Sequence, residues 1–141
     1  MRSLNILIYG NRAARLRQLA YRLSDEGVKV QISSQLVDCL HASLYGIDFL
    51  LIDLDGLNSF LLNLLSAFCR NRPPNFPIIG ISTQSPDDVV LLRDEYELKL
   101  DDYLFENPRP EDLIVRFPEI ATKYMCDIDA VDDFRPSPIA G

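Results

Sequence analysis

Short apolar runs suited to buried strands alternate along this chain with segments of helical period, and that alternation restricts it to a parallel α/β sheet covered by helices. The runs are 5–9 (Asn-Ile-Leu-Ile-Tyr), 28–32 (Val-Lys-Val-Gln-Ile), 48–53 (Asp-Phe-Leu-Leu-Ile-Asp), 77–82 (Pro-Ile-Ile-Gly-Ile-Ser) and 101–105 (Asp-Asp-Tyr-Leu-Phe). The first, third and fourth are apolar on both faces and belong at the sheet centre, whereas the second alternates polar with apolar residues as an edge strand does. Right-handed crossovers between parallel strands then predict the order 2-1-3-4-5, with the first and fifth helices on one face and the second to fourth on the other.

The helical segments carry their own signals. The first places Leu16, Leu19, Ala20 and Leu23 on one stripe, with Asn11 as the expected N-cap and Gly27 as its end. A second, weakly patterned helix is expected over 34–45. The third, over 57–70, repeats Leu57, Phe60, Leu61, Leu64, Leu65 and Phe68 at spacings of three and four, and all six are expected in the core before Pro73-Pro74 stops the helix. A fourth opens on Ser85-Pro86-Asp87-Asp88, an N-cap followed by proline and first-turn acids. The fifth begins after Pro108 or Pro110, and Pro118 inside it predicts a kink between Phe117 and Glu119. Residues 1–125 form one domain on this reading. Residues 126–141 are acidic, proline-bearing and without period, as a tail or linker is.

Composition removes several function classes. A formal charge of −7 repels phosphate backbones and anionic lipid, so neither nucleic-acid nor membrane binding is expected. No apolar run reaches the ~20 residues of a membrane span, and the residues from Met1 lead into a strand without a signal-peptide core, so a cytoplasmic location is expected. Cys39, Cys69 and Cys126 are scattered and odd in number, which suits buried thiols in a reducing compartment rather than zinc or disulfides. His41 is the only histidine and reads as a helix surface residue; no catalytic residue or enzyme activity is assigned.

Position-specific residues go further than the fold pattern. Asp53 ends the most apolar strand and Ser82 ends the fourth. Ile6-Leu7-Ile8 leads to Gly10-Asn11 and, sixteen residues on, Gly27; Asp101-Asp102-Tyr103-Leu104 forms the fifth run. With these motifs, residues 5–125 resemble a response-regulator receiver domain of the flavodoxin-like (CheY-like) fold. The resemblance implies that Asp53 is the equivalent of the phosphoryl-accepting aspartate and Ser82 of the switch hydroxyl. It also implies that an acidic pair should hold Mg²⁺ where Gly10 and Asn11 stand. A lysine should stand at Glu106 or, with one residue inserted, at Asn107 before Pro108.

Mg²⁺ wants anionic oxygen ligands, and neither glycine nor a neutral asparagine supplies one. Glu106 would add negative charge where the family has a cation. The expectation is an atypical receiver, or pseudo-receiver, in two-component or related signalling, with phosphotransfer lost or weak and no cofactor. Partial recovery on changing Gly10→Asp, Asn11→Asp and Glu106→Lys together would support this account of which groups are missing. Asp55, two residues beyond Asp53, is a further candidate for holding a cation from the loop.

Such a domain works through a protein surface. Tyr103, with Asp94 and Glu97 on one flank and Arg109 and Arg116 on the other, forms the expected contact face, and a homodimer is the simplest assembly. A histidine kinase or a fused output domain is the other implied partner. Two rivals remain open: a working receiver phosphorylated on Asp53 with Mg²⁺, and a nucleotide or small-molecule binder using Gly10 with Arg12 or Arg15 at the first helix N-terminus. The latter has neither G-x-G-x-x-G nor a P-loop pattern to support it.

Overall fold

The computed structural model describes residues 4–24, 28–42, 46–72 and 76–105. Five parallel strands, β1 (Leu4–Tyr9), β2 (Val28–Ser33), β3 (Phe49–Asp53), β4 (Ile78–Ile81) and β5 (Asp102–Leu104), form one sheet of order β2-β1-β3-β4-β5. Between them lie α1 (Ala13–Leu23), α2 (Leu36–Leu40), α3 (Ser59–Arg70) and α4 (Pro86–Tyr96). The strand order and pairing are those expected. The fifth helix with its Pro118 kink, the domain boundary at 125 and the tail all lie outside the described residues.

Because side chains alternate across a strand, β1 and β3 feed two separate cores. Ile6, Ile8, Phe49, Leu51, Ile79 and Ile81 pack under Leu16, Leu19 and Leu23 of α1. Leu7, Tyr9, Leu50, Ile52 and Ile78 pack on the opposite face with Cys39 of α2, Leu62, Leu65 and Phe68 of α3, and Leu92 and Tyr96 of α4. Both faces of the central strands are therefore dry, while β2 exposes Lys29, Gln31 and Ile32 at the sheet edge. Burial is the main reason that the Cys39 thiol is pushed up to about 12 and the Cys69 thiol to about 11, so both stay protonated and inert at neutral pH. His41 is exposed at the end of α2.

The N-terminal ends of the strands are tied by carboxylates. Asp48 accepts the Asn5 amide at 2.9 Å, and Asp101 accepts both the Ile78 amide at 2.7 Å and Arg72 Nη1 at 2.8 Å. At α4 the expected cap is in place: Ser85 Oγ accepts the Asp88 amide, with Pro86 in the first turn. At α3 the cap is Asn58, whose side chain accepts the Leu61 amide at 2.9 Å, after a short 3-10 turn over Leu54–Gly56.

Three expectations about the helices are corrected. The regular part of α2 runs over Leu36–Leu40, starting after the expected residue 34, while 43–45 of the expected 34–45 lie outside the described residues. Arg12, not Asn11, is the N-cap of α1, and it gives no side-chain cap because a guanidinium has only donors and cannot accept a backbone amide. Phe60 and Leu64 are not core: they are 68% and 39% exposed. Leu62, Leu65, Phe68 and Cys69 already fill the buried arc of α3, and at 100° per residue Phe60 and Leu64 lie on the far side of the helix.

Candidate functional site

In a doubly wound sheet the crevice forms at the carboxyl ends of the strands, beside the point where the strand order reverses. Here β1, β3 and β4 end in Tyr9, Asp53 and Ile81, and the turns that follow them converge. Asp53 is only 1% exposed. A carboxylate taken out of water needs a cation or several donors.

The cation is Arg12. Its Nε donates to Asp53 Oδ2 at 3.1 Å and its Nη2 to Oδ1 at 2.8 Å, a two-pronged pair in which the planar guanidinium matches both carboxylate oxygens. The hydrogen bond to Asp53 comes first among the causes that push the arginine's own pKa up. The side chain reaches Asp53 across the 3-10 turn, and Gly56 makes room for it: a Cβ there would lie 2.8 Å from Arg12 Cγ and 3.1 Å from Nε.

Asp55 forms the second half of the site. Its Oδ1 accepts from Ser82 Oγ at 2.5 Å, and its Oδ2 accepts from the Thr83 amide and Thr83 Oγ1, each at 2.8 Å. Gln84 Nε2 approaches Oδ1 at 3.4 Å, while the Gln84 amide donates to Ser82 Oγ at 3.0 Å. Burial alone would raise the Asp55 pKa. The donors from Ser82 and Thr83, and then the charge of Arg12 with Nη2 at 3.8 Å, outweigh it and hold the carboxyl below its ordinary value. The loop after β3 is thereby clamped to the loop after β4.

Gly10 does more than lack a ligand. A Cβ at this position would lie 2.9 Å from Asp53 Cβ and 2.8 Å from Leu16 Cδ2, so the turn after β1 rests directly on Asp53. A side chain at Gly10 therefore requires Leu16 and the β1–α1 turn or Asp53 to shift. Asn11 is exposed, and the two-pronged contact to Asp53 comes from Arg12 instead. The described acids converge on Arg12 rather than on an open cation site, and no group of three or more potential ligand side chains occurs among the described residues. These residues do not fit the Mg²⁺ site of the family, and Asp55 accepts from hydroxyl and amide donors.

Of the other expected site residues, Glu106, Asn107, Arg109 and Arg116 lie outside the described residues. Tyr103 is half-buried against the α3 core with its hydroxyl enclosed, and burial is the first cause of its raised pKa. Asp94 is exposed and accepts from its neighbour Arg93 at 3.1 Å; Glu97 takes the left-handed position that ends α4, at φ 52°. The structure places Gly10 against Asp53 and bonds Ser82 to Asp55, and the parts played there by Arg12, Asp55 and Thr83 were not foreseen from the sequence. One signal was present: Arg12 stands immediately after Gly10-Asn11, the positions where acids were missing.

No family model matches the chain, and no curated protein matches it. Solved structures do. A CheY-like response regulator receiver domain protein from Methanospirillum hungatei superposes with a TM-score of 0.59 at 19% identity, over 89% of this chain and 98% of that one. A response regulator from Burkholderia pseudomallei, solved with a phosphorylated aspartic acid, gives 0.58 at 19% identity, over 92% of this chain and 75% of that one. A candidate pilus assembly-related protein from Burkholderia pseudomallei gives 0.56 at 23% identity, over 78% and 83%. The pairing of strands, the position of Asp53 and these superpositions agree: the chain has the five-stranded fold of CheY-like receiver domains.

Proposed function

We propose that this chain is a pseudo-receiver, a signalling domain that keeps the receiver frame for binding protein partners, homodimerisation included, and has lost phosphotransfer. The observation that carries this reading is the two-pronged Arg12–Asp53 pair in a site where a side chain at Gly10 would crowd Asp53. Phosphorylating Asp53 would require a carboxylate oxygen to leave Arg12 and attack phosphorus with no metal to offset the charge that develops on the phosphoryl oxygens. The product would also bring about −1.5 to −2 charges close to Asp55. Ser82, the hydroxyl that the family resemblance gives to the phosphoryl group, is already bonded to Asp55.

On this reading the chain works in the cytoplasm with a kinase, an output domain or another copy of itself. It has no catalytic residue and needs no cofactor. The nucleotide-binding alternative is disfavoured because the guanidinium of Arg12 faces Asp53. The test is incubation with acetyl phosphate and millimolar Mg²⁺ followed by intact mass spectrometry. The mass is expected to stay unchanged. A phosphoryl adduct that disappears in Asp53→Ala would replace this reading with that of a working receiver.

A further inference from the structure

α3 has one buried face and one that nothing among the described residues covers. Its flank toward α4 is occupied: Ser59 Oγ accepts from the Tyr96 hydroxyl at 2.9 Å, and Ser66 Oγ donates to the Glu97 carbonyl at 3.4 Å. The opposite flank adjoins α2, where Val37 and Leu40 are each 51% exposed, and the outer face between carries Phe60 and Leu64. Four large apolar side chains thus line adjoining parts of two neighbouring helices. An aromatic as open as Phe60 at the centre of such a surface is the residue type that dominates association energies when buried.

Charge favours a second copy as the occupant. The chain carries a net −7, yet residues 56–69 contain no Asp, Glu, Lys or Arg. Two copies of a chain with this net charge repel overall, and the α3 part of this face adds no charge to the contact. Its polar groups are also self-complementary: Asn63, exposed between Phe60 and Leu64, carries both a donor and an acceptor on one amide, as a two-fold contact requires. We infer that the uncharged outer face of α3, with the exposed edge of α2, is the surface on which a second copy of this chain docks about a two-fold axis. The inference rests on the interaction-module reading and places the contact away from Tyr103.

Sedimentation velocity of the whole chain across a concentration series tests it. The wild type is expected to pass from monomer to dimer, and Phe60→Glu to weaken the dimer at least about 100-fold. Leu64→Lys, at a second exposed position, should do the same, and Leu91→Glu, on exposed α4, should leave the dimer as it is. An equimolar mixture of Phe60→Glu and Phe60→Lys should recover a dimer, because only a face that meets its own copy brings the two opposite charges together. A wild type that stays monomeric at high micromolar concentration overturns the inference, as does a dimer that survives Phe60→Glu and Leu64→Lys or is lost equally in Leu91→Glu. A monomer that also gains no mass from acetyl phosphate removes this surface while leaving the module reading in place.

Discussion

Arg12→Ala is expected to destabilise the fold by about 2–3 kcal/mol, or roughly 6–10 °C in Tm for a domain of this size. The reason lies in what stays behind. Asp53 would remain 1% exposed with neither oxygen matched to a cation, and an uncompensated buried charge costs more than the pair contributed. The figure is set at the low end because the Arg12 side chain is itself 45% exposed and water can partly replace it. Arg12→Lys should lose less, since one ammonium keeps the charge but cannot bridge both oxygens. Adding Asp53→Asn to Arg12→Ala should recover part of the loss, because the stranded charge is then gone. Urea denaturation of the four proteins gives the comparison. A loss under about 0.5 kcal/mol in Arg12→Ala would mean that the pair is solvated rather than structural.

Gly10→Asp should also destabilise, by about 2–3 kcal/mol, instead of repairing the site. Its Cβ would meet Asp53 Cβ at 2.9 Å and Leu16 Cδ2 at 2.8 Å. The leucine tip can turn away, but Asp53 is fixed at its strand end by two bonds from Arg12, so the backbone of the β1–α1 turn must move. The new carboxylate would then face Asp53 as a like charge. Gly10→Ala separates the two effects, since it adds the Cβ without the charge and should account for most of the loss. Thermal melts with and without 10 mM Mg²⁺ check the outcome, and a Gly10→Asp protein as stable as wild type and stabilised further by Mg²⁺ would refute the crowding argument.

Much of the frame was legible because burial on both sides of a central strand leaves no polar alternation to mislead. Ile6 and Ile8 serve one core while Leu7 and Tyr9 serve the other, and the continuous apolar run is the sum of the two. Asp53 was legible for the complementary reason, as a charge at the end of the most apolar strand. Arg12 was not. Its reach depends on close backbone approaches at Gly10 and Gly56, which join residues more than forty positions apart in the chain. The misreading of Phe60 and Leu64 has a different origin. α3 is apolar around most of its circumference, so the spacing of three and four is satisfied on several faces and cannot say which one is buried.

The account turns on whether the positive charge beside Asp53 is the chain's own arginine or a metal ion. Manganese titration followed by NMR of backbone amides decides it, because Mn²⁺ broadens signals from nuclei close to where it binds. With wild-type protein and Mn²⁺ up to about 1 mM, the amides of Gly10, Asp53, Asp55, Gly56, Ser82 and Thr83 are expected to broaden no more than those of the exposed acidic residues Asp87 and Asp88. Selective broadening of the six, saturating at low Mn²⁺ and abolished by Asp53→Ala, would place a metal where the structure places Arg12 and contradict the account.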